Sequence, residues 1–413
     1  LGYTDAQSTM KNNDMSRLNL RFNTDIKIGT KLSTALDISY NQTSYNILDN
    51  GWSESYDKQN IGSVNVLGLV QAPFISPYSY YVDTDANGHS SLKLSGDWAG
   101  KYASTASRSE YVKNPFMFSQ HLSEVNEVAR NPYWILENGH GNNKNFAEMT
   151  QININVAPKY QINNDWAISD RFNYTLNRNN EKYFLPIAGA TPYMIQDQGN
   201  ITSVLKSQFT KQTSLNNDLR IEYGHQWDEH TFGAFAGWRL NSYNYSYSYL
   251  NGYNNENDKL PNITKNMQFI NSSGVNDSWK DMTYYLQANY NYANRYFAEF
   301  SASAQASSRF GSHTKDGFRL AGVSWGFFPS LQLGWILTNE KWFKPTRNVN
   351  YLKATFGIEK NGNDNLDYYA ARTYWETAQV FENVFGKYLS NIANSGLQWE
   401  TVRKINVGVE GSF

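Results

Sequence analysis

The sequence predicts an all-β fold: an antiparallel, up-and-down transmembrane β-barrel. Three observations predict it. Polar and apolar residues alternate with a two-residue period along much of the chain. The connections between alternating segments sort by parity into short and long. Aromatic residues flank the short ones. Alternation gives each strand one greasy face and one wet face. A barrel in an outer membrane joins its strands by tight turns at one end and long loops at the other. A soluble sandwich has no reason to sort its loops in this way.

The first segment, SRLNLRFNTDIKI from Ser16 to Ile28, places Leu18, Leu20, Phe22, Ile26 and Ile28 on one face and Arg17, Asn19, Arg21, Asn23, Asp25 and Lys27 on the other. The greasy register continues past a turn at 29–31 into Leu32, Leu36, Ile38 and Tyr40. Ile152, Ile154 and Val156 form the next such face, followed after 162–165 by Trp166, Ile168, Phe172, Tyr174 and Leu176. Leu215, Leu219, Ile221 and Tyr223 lead through 224–230 into Phe232, Ala234, Ala236, Trp238 and Leu240. Tyr284, Leu286, Ala288, Tyr290 and Tyr292 meet Tyr296, Ala298, Phe300 and Ala302 across 293–295. Leu331, Leu333 and Trp335, then Leu352, Ala354, Phe356 and Ile358, then Ile405, Val407 and Val409 complete the series. The pattern predicts about eleven strands of roughly 10 to 14 residues, near the length a tilted membrane strand needs. The long connections are expected near 43–148, 179–212, 248–281, 309–323 and 361–397, with 43–148 a long extracellular loop region. Tyr160 and Trp166, Tyr223 and Trp227, Tyr292 and Tyr296, and Trp335 and Trp342 suit a membrane–water interface, where one end of the ring is dry.

Composition excludes several classes. A formal net charge of −1 over 413 residues is not that of a polybasic nucleic-acid binder. No apolar run approaches the roughly 20 residues of a spanning helix. The chain has no Cys, which removes disulfides, thiolate metal sites and cysteine catalysis together. Leu1-Gly2-Tyr3-Thr4-Asp5 has neither the basic start nor the apolar stretch of a leader, so a leader was removed or the chain is an internal piece.

Four ordered tracts carry a family resemblance. They are NYNYANRYFAEFSASAQASSRFG (Asn289 to Gly311), WGFFPSLQLGWILTNEKWF (Trp325 to Phe343), LKATFGIEKNGNDN (Leu352 to Asn365) and NSGLQWETVRKINVGVE (Asn394 to Glu410). Together with RNPYW (Arg130 to Trp134), they resemble the SusC-like branch of TonB-dependent outer-membrane transporters of Bacteroidetes. Gln305-Ala306 and Gln398 depart from the usual residues of that pattern, as subfamily variation. The resemblance implies a 22-stranded barrel with a plug in its lumen, of which residues 1–413 make about half. Plug and remaining strands are expected outside this chain, because open sheet edges at 16–28 and 401–411 would leave backbone groups unpaired in hydrocarbon. It also implies import energised through TonB, a SusD-like surface lipoprotein as lid, and an oligosaccharide or, less often, a peptide as substrate. A passive porin and a secreted all-β carbohydrate-binding protein are the competing readings.

No enzyme is expected and no cofactor. The chain has no His-Glu-x-x-His, Gly-x-Ser-x-Gly or phosphate-loop pattern, and only His225 and His230 of its six histidines are close in sequence. Asp83, Asp85 and Asn87 match the first half of a calcium loop, but Leu94 stands where the closing Glu belongs, and a loop turn explains them more simply. Trp52, Trp98, Tyr133, Trp134, Tyr374 and Trp375 are the candidate substrate-binding residues. Aromatic faces beside Asn and Asp suit stacking on sugars and hydrogen bonding to hydroxyls; packing within the loops or contact with a partner protein is the competing explanation for each.

Overall fold

A computed structural model describes residues 1–48, 80–94, 144–185, 193–195, 199–259, 261–344, 349–381 and 384–412. In chain order its strands are β1 (Gly2–Gln7), β2 (Asp14–Ile28), β3 (Leu32–Leu48), β4 (Tyr80–Thr84), β5 (Ser90–Leu94), β6 (Lys144–Gln161) and β7 (Trp166–Leu185). Then come β8 (Tyr193–Ile195), β9 (Gly199–Ile201), β10 (Val204–Trp227), β11 (His230–Tyr253), β12 (Gln268–Tyr292) and β13 (Tyr296–Ser307). The last are β14 (Phe318–Leu320), β15 (Val323–Ile336), β16 (Tyr351–Asn363), β17 (Tyr374–Phe381), β18 (Val384–Asn391) and β19 (Glu400–Ser412). One sheet of 13 strands runs β1-β2-β3-β6-β7-β10-β11-β12-β13-β15-β16-β19, with β14 paired to β15. Three separate hairpins, β4–β5, β8–β9 and β17–β18, lie within the long connections.

All eleven expected strands are members of this sheet, each antiparallel to its neighbour. The short turns fall where alternation breaks. Ala293 and Asn294 both have positive φ, 54° and 53°, the primed geometry whose twist suits a tight hairpin. Gly29 opens the β2–β3 turn at φ 68°, a region that costs glycine nothing.

Two expectations need correction. Strands are longer than 10 to 14 residues: β10 and β11 have 24 each and β12 has 25. Much of the expected loops 179–212 and 248–281 is therefore strand. In those stretches polar residues occupy both faces, so hydropathy hides a ladder that the backbone hydrogen bonds maintain. The edge expected at 16–28 is also partly covered, because β1 pairs with β2 from Gly2↔Asn19 to Gln7↔Asp14. Among the described residues β1 and β19 end the order, and the sheet does not close on itself. Packing is correspondingly thin: Phe184, Leu205 and Met267 form a small cluster at the loop end, with Ile263 against it.

Candidate functional site

The sheet is a wall with two unlike faces. One register row crosses eight strands through Trp166, Tyr223, Ala234, Ala288, Phe300, Leu331, Ile358 and Ile405. Large apolar side chains on this face stay open: Phe22 is 57% exposed and Phe300 43%. In water such a surface would be costly at about 25 cal/mol per Å², and patches of this extent mark contact with another apolar phase. The opposite face carries a polar row, Asn23, Asp37, Asn155, Asn173, Asn216, Asn241, Asp281 and Ser307, each opposite the next on adjacent strands. Asn216 donates to Asn241, and Asn241 donates to Asp281 at 3.0 Å. Arg21 meets Asp37 at 2.9 Å, Lys159 meets Glu222 at 2.9 Å, and Arg239 meets Asp218 at 2.7 Å. Tyr285 lies over Gly237, leaving no room there for a Cβ, and donates to Asp218.

Aromatic belts bound the apolar face. At the turn end, Trp166 and Tyr223 are 4.7 Å apart, Trp227 and His230 5.3 Å, and His230 and Tyr292 4.6 Å. Tyr292, Tyr296 and Trp335 continue the belt, stacked at 6.2 and 6.3 Å. Glu340, buried just past β15, ties it together. Its carboxylate accepts from the Tyr296 hydroxyl at 2.5 Å, the Trp335 indole at 2.9 Å and Arg295 at 3.4 Å. These donors, the Tyr296 hydroxyl first, hold the carboxyl below its ordinary range. At the loop end, Trp238 pairs with Tyr284, which packs on Trp325 at 5.5 Å, and Trp325 stacks on Phe318 at 6.3 Å. Trp325 and Trp335 share a face of β15, ten positions apart, so they are about 33 Å apart along the strand. With a tilt of about 40°, that is an apolar band roughly 25 Å tall, the thickness a membrane barrel presents to lipid.

The tracts distant in sequence converge near the loop end. Phe310 packs on Trp399 at 4.2 Å, and Phe328 lies edge-on to the same indole at 6.0 Å. Gly311 donates its amide to the Leu397 carbonyl at 2.9 Å, and His313 to Ser395 at 2.8 Å. A Cβ at Gly311 would strike the Ser395 carbonyl, and one at Gly362 would strike the Phe328 ring. The Arg309 guanidinium lies 4.4 Å from the Trp279 ring centre and 5.1 Å from that of Tyr368, and donates to the Asp364 carbonyl at 3.2 Å. Tyr243 stacks on Trp279 at 6.0 Å.

The wet face also bears residues that the sequence reading passed over. Tyr243, Tyr245, Tyr247 and Tyr249 continue the register of Arg239 and Asn241 up β11, beyond Trp238 and the loop-end belt. The signal was the strict alternation YNYSYSY, which runs from the end of the expected strand at Leu240 into the stretch 248–281 expected to be loop. Of the candidates named from sequence, Trp52, Trp98, Tyr133 and Trp134 lie outside the described residues. Tyr374 and Trp375 open β17, where the pairing register shifts, with Trp375 62% exposed. Asp85 closes the β4–β5 turn: its carboxylate accepts the amides of Asn87 at 2.9 Å and His89 at 2.8 Å.

No family model matches the chain. It is 29% identical to the TonB-dependent receptor SusC of Bacteroides thetaiotaomicron over 139 residues, 32% of this chain and 13% of that protein. It fits part of a SusC-like TonB-dependent receptor. The TonB-dependent receptor P39 of Formosa agariphila is 26% identical over 188 residues, 45% of this chain and 17% of that receptor. Receptor P26 of the same organism is 21% identical across the whole chain, which spans 36% of that receptor. In fold, the RagAB peptide transporter aligns with 97% of this chain and 38% of its own at a TM-score of 0.64 and 16% identity. The chain thus spans well under half the length of these relatives, and the fold is a partial TonB-dependent receptor barrel.

Proposed function

We propose that residues 1–413 are part of the barrel domain of an outer-membrane transporter that imports oligosaccharides with energy from TonB. The observation that carries this reading is the two-faced wall: an uncovered apolar band about 25 Å tall between aromatic belts, backed by a polar face. Only a closed sheet spans a bilayer with strands, so further strands of the whole protein complete the barrel, and a plug keeps a lumen of that width from leaking. The short turns face the periplasm. The long connections, 43–148 among them, face the exterior, where Trp52, Trp98, Tyr133, Trp134, Tyr374 and Trp375 gather substrate beneath a SusD-like lipoprotein. Similarity to SusC supports the TonB-dependent reading, in which the protein is a transporter rather than an enzyme.

The fold likeness to the RagAB peptide transporter favours a second reading, in which the substrate is a peptide. Growth of the native host on a single glycan or peptide source tests both. Growth on the glycan that is lost on deleting either the receptor gene or TonB supports the first reading. Growth lost only on peptide supports the second. Uptake that persists without TonB moves the function to a passive porin.

A further inference from the structure

We propose that Tyr243, Tyr245, Tyr247 and Tyr249 form a docking track for a linear, uncharged oligosaccharide on the inner wall of the barrel mouth. The proposal deepens the oligosaccharide reading and rests on it. The four rings share one face of β11, two residues and so about 6.8 Å apart along the strand. The register is unbroken with β10 from Val204 to Trp227 and with β12 from His230 to Asn251, so no bulge turns a ring to the other face. At its foot Tyr243 is held between Trp279 and Tyr368, at 6.0 and 6.1 Å, and the track climbs from there away from the membrane band through Tyr245, Tyr247 and Tyr249.

The flanks of the track select the ligand. On β10 the residues opposite the rings are Ser214, Gln212, Thr210 and Gln208, and on β12 they are Trp279, Asp277, Val275 and Ser273, so the paired flanks carry one carboxylate and no cation. On β7 the next positions are Thr175, Asn177, Asn179 and Glu181, and above the rings stands Asn251, buried to 7% exposure; Glu181, which accepts from Asn179, and Asp277 disfavour an acidic sugar. Among the described residues the side-chain amide oxygens of Asn179 and Asn251 are buried with no donor. Rings in a row offer flat faces to the C–H side of sugar rings, while amides and hydroxyls alongside meet their hydroxyl groups. A peptide fits this place less well. β11 is paired on both sides, so it offers no strand edge to which an extended peptide could add.

The test uses the full-length receptor, purified in detergent, with neutral gluco-, manno- and xylo-hexaoses and hexa-alanine as probes. Binding is read by calorimetry and by change in tryptophan emission, since Trp279 adjoins the track. The wild type binds at least one hexaose and not hexa-alanine. Tyr245→Ala and Tyr247→Ala each weaken that binding about tenfold, the loss of one stacking contact. Tyr247→Phe keeps most of the affinity, and Ser246→Ala, on the other face of β11, keeps all of it. Heat-modifiable migration on gels verifies that each variant is folded. Undiminished hexaose affinity in the folded Tyr245→Ala/Tyr247→Ala double variant overturns the track while leaving the oligosaccharide reading standing. A wild type that binds hexa-alanine and no hexaose overturns both.

Discussion

Glu340 illustrates how one side chain organises many. It gathers the Tyr296 hydroxyl, the Trp335 indole and Arg295, drawing β13, β15 and the turn before β13 to one point. Its folded carboxyl titrates below its ordinary value of 4.5, so charged Glu340 favours the folded turn end. That contribution is complete above the ordinary value and is lost as the pH falls through the lowered one. Acidification across that window is expected to loosen the belt, seen as a shift in Trp335 emission, and Glu340→Gln flattens the response. A second expectation concerns Trp399, 3% exposed, on which Phe310 and Phe328 converge. Trp399→Ala is expected to cost about 3–5 kcal/mol in denaturant unfolding of the complete receptor. Gly311→Ala, which forces a methyl against the Ser395 carbonyl, is expected to cost about 1–3 kcal/mol.

Strand register sets which residues meet lipid. Phe300 lies four positions beyond Tyr296 of the turn-end belt, near the middle of the band, while Ser301 beside it points to the wet face. Phe300→Arg is expected to cost about 2–4 kcal/mol in reversible unfolding from lipid vesicles, and Ser301→Arg far less. Equal costs at the two positions would place the register wrongly. The sequence made this level of structure readable wherever one face meets an apolar phase. Leu20, Ile154, Phe300 and Ile405 mark their strands because an apolar surroundings tolerates no error of phase. Beyond the band both faces are wet, and the signal fades; the loop-side ends of β10 and β11 and the first half of β12 read as loop for that reason. Tyr243 to Tyr249 kept the two-residue period there, but in a residue that hydropathy counts as neither greasy nor wet. The knot of Phe310, Phe328, Gly362 and Trp399 was legible only as a string of family tracts. Nothing in a linear sequence states that they touch.

At the scale of the whole molecule, orientation is directly measurable, because residues 1–413 contribute no Cys of their own to the background. In the complete receptor on intact cells, a cysteine at Asn87 is expected to react with an impermeant maleimide and one at Lys31 to remain unlabelled. The reverse result inverts the membrane orientation. The order of the sheet also bears on how it assembles. Every main-sheet pairing joins strands that follow one another along the chain, apart from the side hairpins stepped over on the way. Such a meander can zip up one hairpin at a time, each addition closing a small ring of chain. The tight turns make this cheap, but β3 must find β6 across the stretch from Leu48 to Lys144. Ring-closure entropy rises by about 0.6 kcal/mol for each doubling of length, so this junction carries an extra cost of roughly 3 kcal/mol over a four-residue turn. During biogenesis the hairpin β2–β3 and the hairpin β6–β7 are therefore expected to form before they meet each other. The seam between Tyr40 and Ile152 is expected to join after the hairpins on either side of it, which is where a folding catalyst has much to gain.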